Sequence, residues 1–337
     1  IIHPLVPGEP YPDKGLCGAA VGFKLVQALI QKYARTNALL PDGQTFEGFQ
    51  KWMLDLVAIA SIGDMVPLLG ESRTLTRYVL TVINKTRNIG LKKLLITSGV
   101  ADENGNPKRG AYDTYTMSFQ IIPRINAAGR MDHANTAFAL LMANDETEAE
   151  SLAQQLNQNN LDRQKITDQY VNEARKQIKE TNQEDNPVLF VVGKNWPTGI
   201  LGLISGKLKD EYARPAIVMG ENEREITGSG RSIREFNLIL ALQEMPDVFA
   251  KFGGHPQACG FTLKNKEILE EFKTKLTEKA KIKTTDVDMT PQINIDAEVD
   301  LDEVNWKLYD LLEKFEPFGQ CNEEPKYAAR GVTLINI

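Results

Sequence analysis

The sequence predicts an α/β protein with two α/β domains joined by a long helix. Residues 187–283 alternate strand, loop and helix patterns, residues 1–145 carry apolar side chains at helical spacing, and residues 146–186 read as one helix followed by a polar linker. Residues 284–337 are expected to form a second linker and the start of a further β-domain. A chain of 337 residues is long enough to build more than one hydrophobic core.

Several helices are expected within residues 1–145. The predicted helices are Val21 to Leu29, Phe46 to Ile62, Glu71 to Asn84 and Gly90 to Ser98. Asp64 follows the second of these inside an almost wholly apolar segment. A carboxylate buried there would need a cation or hydrogen-bond donors, whereas in a solvated turn before Pro67 it would need neither.

The long helix is predicted to run from Thr147 to Glu180. Thr147 and Glu150 have the spacing of a capping box, and apolar residues follow at helical spacing. Its middle, Asn157 to Gln164, is strongly polar, which is typical of a helix that bridges two bodies and packs on neither.

Residues 187–283 are predicted to form an α/β sheet with its loops gathered on one edge. The expected strands are Val188 to Val192, Ala216 to Met219, Glu225 to Thr227 and Phe261 to Leu263, and the expected helices are Ile200 to Lys209, Leu238 to Phe249 and Ile268 to Lys281. Beyond them, a short strand at Ile293 to Ala297, a helix from Val304 to Phe315 and a final strand from Ala328 to Ile335 are expected.

Two glycine-rich stretches stand out as candidate ligand-binding loops. One carries Ser229, Gly230, Arg231 and Ser232, whose hydroxyl and guanidinium groups suit a phosphate. The other is the turn Gly253-Gly254-His255, where two glycines permit close backbone approach and the imidazole can donate to an anionic oxygen. The second stretch also has a purely structural interpretation, in which Gly-Gly is a simple turn and His255 only forms structural hydrogen bonds.

A third candidate is the run from Pro123 to Arg130. Arg124, Asn126 and Arg130 lie among small residues there, and arginine offers a fork of donors for a phosphate backbone. Arginines also pair with carboxylates for structural reasons alone.

Composition narrows the class of protein. With 42% hydrophobic and 25% charged residues the chain reads as a soluble globular protein, and no apolar run is long enough to cross a membrane. Three widely spaced cysteines suit a reducing cytoplasm and argue against a zinc site or a disulfide framework. A net charge of −6 is unusual for a nucleic-acid binder but leaves room for a local basic groove.

Four sequence blocks, in their order and spacing, resemble the DHH phosphoesterases and, within them, the RecJ exonuclease family. The blocks are Leu56 to Leu68, Arg124 to Arg130, Gly228 to Ser232, and Gly253 to Phe261. The segments around Tyr11-Pro12 and Pro317-Phe318-Gly319 are similar to this family as well, so that the resemblance covers nearly the whole chain.

The resemblance implies a single-strand-specific 5′-to-3′ DNA exonuclease of DNA repair and recombination that uses two divalent metals, Mn²⁺ or Mg²⁺. It implies a DHH-type domain, a connecting helix, a DHH-associated substrate domain and the start of an OB-fold. Asp64 matches a metal-binding, catalytic position and His255 a catalytic one. Ser229, Arg231 and His255 match positions that hold phosphates across a cleft from the metals, and Arg124 and Arg130 match a strand-contacting segment. Single-stranded DNA, helicases or single-strand-binding proteins are the implied partners of a cytoplasmic monomer.

The chain departs from the family in lacking an Asp-His-His triplet and the earlier aspartates. We expect this sequence to be a piece without most of the metal site, and to be inactive alone. Cys321 stands where the family has a second glycine. Two alternatives remain open: a phosphoesterase for short oligonucleotides or cyclic dinucleotides, and a non-catalytic nucleic-acid-binding module.

Overall fold

The structure is a computed structural model, and it describes residues 2–34, 38–131, 133–285 and 292–333. The chain divides into two compact units. One comprises residues 1–128, 133–159 and 293–337, and the other comprises residues 129–132 and 160–292. The architecture is mixed α/β, as the sequence predicts.

The first unit is built mainly from helices. They are α1 (Gly18–Tyr33), α2 (Phe46–Trp52), α3 (Leu54–Gly63), α4 (Gly70–Ile83), α5 (Ile89–Thr97), α6 (Thr114–Thr116), α7 (Ile122–Met131) and α8 (Asn135–Met142), with one turn of π-helix at Met117–Ile121. The predicted helix Phe46 to Ile62 is divided at Met53. Leu91, Leu94 and Leu95 of α5 are fully buried at the centre of this unit's core.

Helix α9 runs without interruption from Glu146 to Glu180, and its bounds agree closely with the predicted helix. The prediction for its polar middle is wrong, because one stripe of the helix stays buried there. Asn160 is 1% exposed and Thr167 is 3% exposed. They continue the spacing of the buried Leu156 and Val171 on the same face.

The second unit is organised on a five-stranded sheet. Its strands, in chain order, are β1 (Leu189–Lys194), β2 (Ala216–Glu221), β3 (Ile226–Arg231), β4 (Phe249–His255) and β5 (Ala258–Leu263). The spatial order is β1-β2-β3-β5-β4, with β1 parallel to β2 and every other pair antiparallel. Helices α10 (Thr198–Tyr212), α11 (Leu238–Gln243) and α12 (Leu269–Thr284) complete this unit.

The two faces of this sheet carry different cores because side chains alternate along each strand. On one face, strand residues such as Ile217 and Phe261 pack with residues of α11 and α12 such as Phe272. On the other face, residues of β1 and β2 such as Val218 pack with α9 and α10. That second face remains open over β5 and β4, where a groove is found.

Three predictions within this sheet are wrong. The stretch carrying Ser229 and Arg231 is not a loop, since β3 extends through Arg231. Gly253-Gly254-His255 is not a turn but the end of β4, and the turn is Pro256-Gln257. The helix expected from Leu238 to Phe249 ends at Gln243, followed by a 3₁₀ turn at Pro246–Val248.

The C-terminal segment belongs to the first unit and adds the short strands β6 (Ala297–Glu298) and β7 (Tyr327–Ala328), with α13 (Trp306–Leu312) between them. The strand predicted at Ile293 to Ala297 is displaced to Ala297–Glu298. The strand predicted from Ala328 to Ile335 is wrong over residues 329–333, which are not in a strand, and its last two residues lie outside the described residues. The turn after α13 is tied to α4, because Arg73 Nη2 donates to the carbonyls of Lys314, Phe315 and Glu316. Within the described residues no helix combines the length and apolarity needed to span a bilayer.

Candidate nucleic-acid interface

The open face of the sheet presents three rows of side chains, fixed by strand register. Arg231, Ala258 and His255 form one row, Ser229, Gly260 and Gly253 the next, and Thr227, Thr262 and Lys251 the third. Residues two apart in a strand point to the same face, so all nine positions face the same side. The sheet thus gathers a guanidinium, an imidazole, an ammonium and several hydroxyls around two glycines.

Ser229 and Arg231 are positioned together at the edge of this face. Arg231 Nη1 donates to Ser229 Oγ at 3.3 Å and to the Gly230 carbonyl at 3.0 Å, and Ser229 Oγ donates to the Cys259 carbonyl at 3.1 Å. Gly202 of α10 lies against them, because a Cβ there would stand 3.0 Å from Arg231 Nη2 and 3.1 Å from Ser229 Oγ. The pair is therefore held by backbone and helix contacts.

Arg130 belongs to the same unit and brings a second guanidinium. Its Nη1 donates to the Gly199 carbonyl at 3.0 Å, in the first turn of α10. Burial and the nearby positive charge of Arg231 lower the pKa of Arg130 from its ordinary value. Neither arginine forms an ion pair with a carboxylate among the described residues, so within that part of the chain two like charges stand near each other without a counter-charge.

A groove of about 500 Å³ occupies the open face. Its lining is Thr198, Thr227, Gly228, Ser229, Lys251, Phe252, Gly253, Gly260, Phe261 and Thr262. Thr198 is the first residue of α10, so the N-terminal amides and the positive end of the helix dipole lie at the groove. Concave sites of about 300–1,000 Å³ are the usual size for small ligands.

Three glycines near the groove are explained by close contacts within the protein. A Cβ at Gly228 would stand 2.2 Å from the Phe261 ring, and one at Gly230 would stand 2.5 Å from Leu238. Gly254 has φ +151°, and a Cβ there would stand 2.2 Å from the Ala258 carbonyl oxygen. The sequence analysis predicts that Gly230 and Gly254 bind the ligand. The structure gives another reason for glycine at each position, because a side chain at Gly230 would clash with the core and one at Gly254 would clash with the backbone of the hairpin.

Two other predicted site residues, Ser232 and Arg124, have their side chains engaged within the protein. Ser232 is 4% exposed, and its hydroxyl donates to the Phe236 carbonyl at 2.7 Å. Arg124, in the first unit, donates from Nε to Asn157 Oδ1 at 2.9 Å and from Nη1 to the Gln120 carbonyl. Burial lowers the pKa of Arg124. Asn126 is exposed on α7. A strand-contacting role for Arg124 and Asn126 stays a prediction.

Asp64 lies in the first unit, in the exposed turn that follows α3. Its backbone N–H donates to the Ala60 carbonyl at 2.9 Å. The described residues contain no group of three or more His, Cys, Asp or Glu side chains that could hold a metal ion. A divalent cation takes several ligands, so the described residues do not by themselves form a metal centre. Asp64 stays a predicted ligand.

Sequence reasoning missed Lys251, Gly260 and Thr262. Their signal is the two-residue period in Lys251-x-Gly253-x-His255 and Ala258-x-Gly260-x-Thr262, which places alternate residues on one face of a hairpin. The interpretation of Gly-Gly-His as a turn hid that period.

Comparison with known proteins gives two domain matches. The DHHA1 domain matches residues 185–281, which include the whole sheet, and the RecJ OB domain matches residues 295–337. The single-stranded-DNA-specific exonuclease RecJ of Bacillus subtilis is 34% identical over 339 residues, covering 100% of this chain and 40% of that protein. The protein of the same name from Salmonella typhimurium is 28% identical, covering 98% of this chain and 57% of its own length.

The solved structures agree with these matches. The crystal structure of RecJ in complex with Mg²⁺ from Thermus thermophilus superposes with a TM-score of 0.78 at 25% identity, covering 96% of this chain and 47% of that one. This chain spans about half the length of the relatives it matches. A DHHA1 domain, a segment of the RecJ OB domain and similarity along the whole chain together show that it is part of a protein of the RecJ family.

Proposed function

We propose that this chain supplies the strand-binding part of a single-strand-specific DNA exonuclease, with the terminal phosphate of the strand bound at Ser229 and Arg231. The observation that carries the proposal is the pair of guanidiniums, Arg231 and Arg130, beside a hydroxyl and a helix N-terminus on one open sheet face. The matched relatives carry the name of that activity.

The electrostatics of this site favour an anion. Arg130 and Arg231 repel each other, and an anion between them would remove that repulsion. Arginine forms bidentate, charge-assisted hydrogen bonds with phosphate, and Arg231 Nη2 has no partner in the described part of the chain. His255 stands in the same row as Arg231 and is exposed, so it can add a further donor.

The test is the binding of 5′-phosphorylated and 5′-hydroxyl single-stranded oligonucleotides, measured by fluorescence anisotropy with the 337-residue chain. We expect Arg231→Ala to weaken binding of the phosphorylated strand roughly tenfold to a hundredfold, since charged hydrogen bonds contribute about 1.5–3 kcal/mol. Arg224→Ala removes the same charge from an exposed loop between β2 and β3 and serves as the control. Equal affinity of wild type for the two oligonucleotides would overturn the proposal.

For the whole protein we propose degradation of single-stranded DNA from its 5′ end, in repair and recombination in the cytoplasm. Asp64 is then one ligand of Mn²⁺ or Mg²⁺, together with groups that the described residues do not supply. We expect the 337-residue chain with manganese to leave single-stranded DNA intact in a nuclease assay, and robust turnover would contradict this. In the complete enzyme, Asp64→Ala should lower manganese occupancy, measured by equilibrium dialysis.

A further inference from the structure

We propose that the groove beside Ser229 and Arg231 holds the base of the terminal nucleotide, in a pocket floored by Gly253 and Gly260. The inference rests on the proposed function, because it assumes that a terminal phosphate is bound at Ser229 and Arg231. It adds a second contact to the same nucleotide, made by residues of the neighbouring strand β5 and of β4 beyond it.

The floor of the groove has no side chains at its centre, which favours the close approach of a ligand. Gly253 and Gly260 are direct cross-strand partners on the groove face. A Cβ at Gly253 would meet nothing within 4 Å, and one at Gly260 would meet only the Gly228 carbonyl oxygen at 4.0 Å. Packing therefore does not require glycine at either position, in contrast to Gly228 and Gly254. A glycine inside a strand weakens the strand and often marks the close approach of a ligand.

The shape and lining of the groove are the second argument. Two glycines side by side expose flat peptide groups, and the methylene stem of Lys251 borders the groove of about 500 Å³ above them. A planar, largely apolar ring system fits such a floor better than a hydrated phosphate does.

An unpaired hydroxyl is the third argument. Thr262 lines the groove and is 3% exposed, and its Oγ1 has no hydrogen-bond partner in the described part of the chain. A buried polar group without a partner is unfavourable, so a ligand that supplies the partner gains affinity. A hydroxyl both donates and accepts, which suits the edge of any nucleobase and implies little sequence preference.

Spacing and charge favour a base over a second phosphate. Successive rows on one strand lie about 6.8 Å apart, so a ligand reaching from Ser229 to Thr227 spans the distance between the phosphate and the base of one nucleotide. Thr227 Oγ1 donates to the carboxylate of Glu225 at 3.3 Å. Glu225 thus places a carboxylate at the same end of the groove as the Lys251 ammonium, so the two charges offset each other and that end offers no net positive charge to a second phosphate.

The test compares 5′-phosphorylated oligonucleotides that differ only in one base. One is intact, one has an abasic first residue, and one has an abasic second residue as the position control. With the 337-residue chain we expect the abasic first residue to weaken binding roughly tenfold, the scale of one base contact, and the abasic second residue to have less than half that effect. Equal weakening by both, or by neither, would overturn the inference.

Variants locate the effect in the groove. Gly260→Val places a branched side chain on the floor, where β-propensity favours it, and should abolish the preference for an intact first base. Thr262→Val should reduce that preference without changing the size of the side chain. Gly206→Ala fills another position with open space around it, on α10, and should retain the preference. Circular dichroism establishes that each variant is folded, and a folded Gly260→Val chain with the full preference would contradict the proposal.

Two further outcomes separate this inference from the proposed function. If the 5′-phosphate adds no affinity, the proposed function fails whatever the base contributes. If the phosphate adds affinity but the first base does not, the proposed function stands and the base pocket is rejected. Tighter binding of a 5′-diphosphorylated strand with no loss for the abasic end would assign the groove to a second phosphate and overturn the inference.

Discussion

The side-chain amide of Gln183 forms two hydrogen bonds with the backbone of Phe190: its Oε1 accepts from the amide N–H at 2.8 Å, and its Nε2 donates to the carbonyl at 2.9 Å. Gln177 of α9 makes the same pair of bonds to Val192. These two glutamines take the place of a neighbouring strand along the free edge of β1. Unpaired edges promote association between chains, so the two amides protect the sheet.

Removal of this protection should cost stability and promote self-association. We expect Gln183→Ala to lower the free energy of unfolding by about 1–3 kcal/mol, because it leaves both polar groups of Phe190 without their partner. Urea denaturation and sedimentation velocity measure the two effects. Gln169→Ala removes an exposed glutamine whose side chain donates to the exposed Glu173, and it is the control. A Gln183→Ala chain as stable and as monomeric as this control would contradict the prediction.

Arg73 should hold residues 314–322, which follow α13, in their folded position. One terminal nitrogen of Arg73 donates to three successive carbonyls, and the Leu68 N–H donates to the Gln320 carbonyl at 2.7 Å beside it. We expect Arg73→Ala to speed hydrogen exchange and proteolysis at residues 314–322, with Arg73→Lys intermediate because its ammonium still donates. Arg109→Ala, an exposed arginine of the same unit, should change neither rate. Equal protection in Arg73→Ala and Arg109→Ala would reject the assignment.

Asp55 should make stability depend on pH. This carboxyl is 4% exposed and accepts from Thr86 Oγ1 at 2.7 Å, and burial raises its pKa. The folded state therefore keeps the proton to higher pH than the unfolded state does. The stabilisation is complete below the unfolded pKa of about 3.9 and is lost as pH rises through the raised folded pKa.

The comparison that isolates Asp55 is wild type against Asp55→Asn in urea denaturation at pH 4 and pH 7. We expect the stability of wild type relative to Asp55→Asn to fall between these two values of pH. Asp42→Asn, at an exposed position, should show no such difference. If the stability of wild type relative to Asp55→Asn rose from pH 4 to pH 7 instead, the fold would stabilise the charged form of Asp55.

Gly228 and Gly253 should respond differently to the same substitution. Gly228→Ala directs a methyl group at the Phe261 ring and should destabilise the chain by about 1–3 kcal/mol, because the packed core must shift to admit it. Gly253→Ala places its methyl in open space and should cost less than about 1 kcal/mol. Thermal unfolding measures both. Equal losses of stability in the two variants would contradict the prediction, because Gly253 would then have a packing role as Gly228 does.

The alternation of strands and helices, the long helix and the family resemblance could all be predicted from the sequence, because each depends on local periodicity or on several motifs in order. The face of the sheet could not. Gly228 and Gly230 look like loop residues, and only the Phe261 ring and Leu238, distant in sequence, explain why a strand has glycine there. Asn160 looks solvated for the same reason, since its burial depends on what surrounds α9. When residues distant in sequence bury a position, the local sequence pattern does not reveal it.

The placement of Ser229, Arg231 and His255 on strands, not on loops, affects the thermodynamics of recognition. Their mutual distances are set by the hydrogen bonds of one sheet before any ligand arrives. These side chains are already in place, so little conformational entropy is lost when a ligand binds. Preorganisation of this kind raises affinity without adding a contact. Calorimetry of phosphate binding should accordingly show a small heat-capacity change, because no loop has to fold around the ligand.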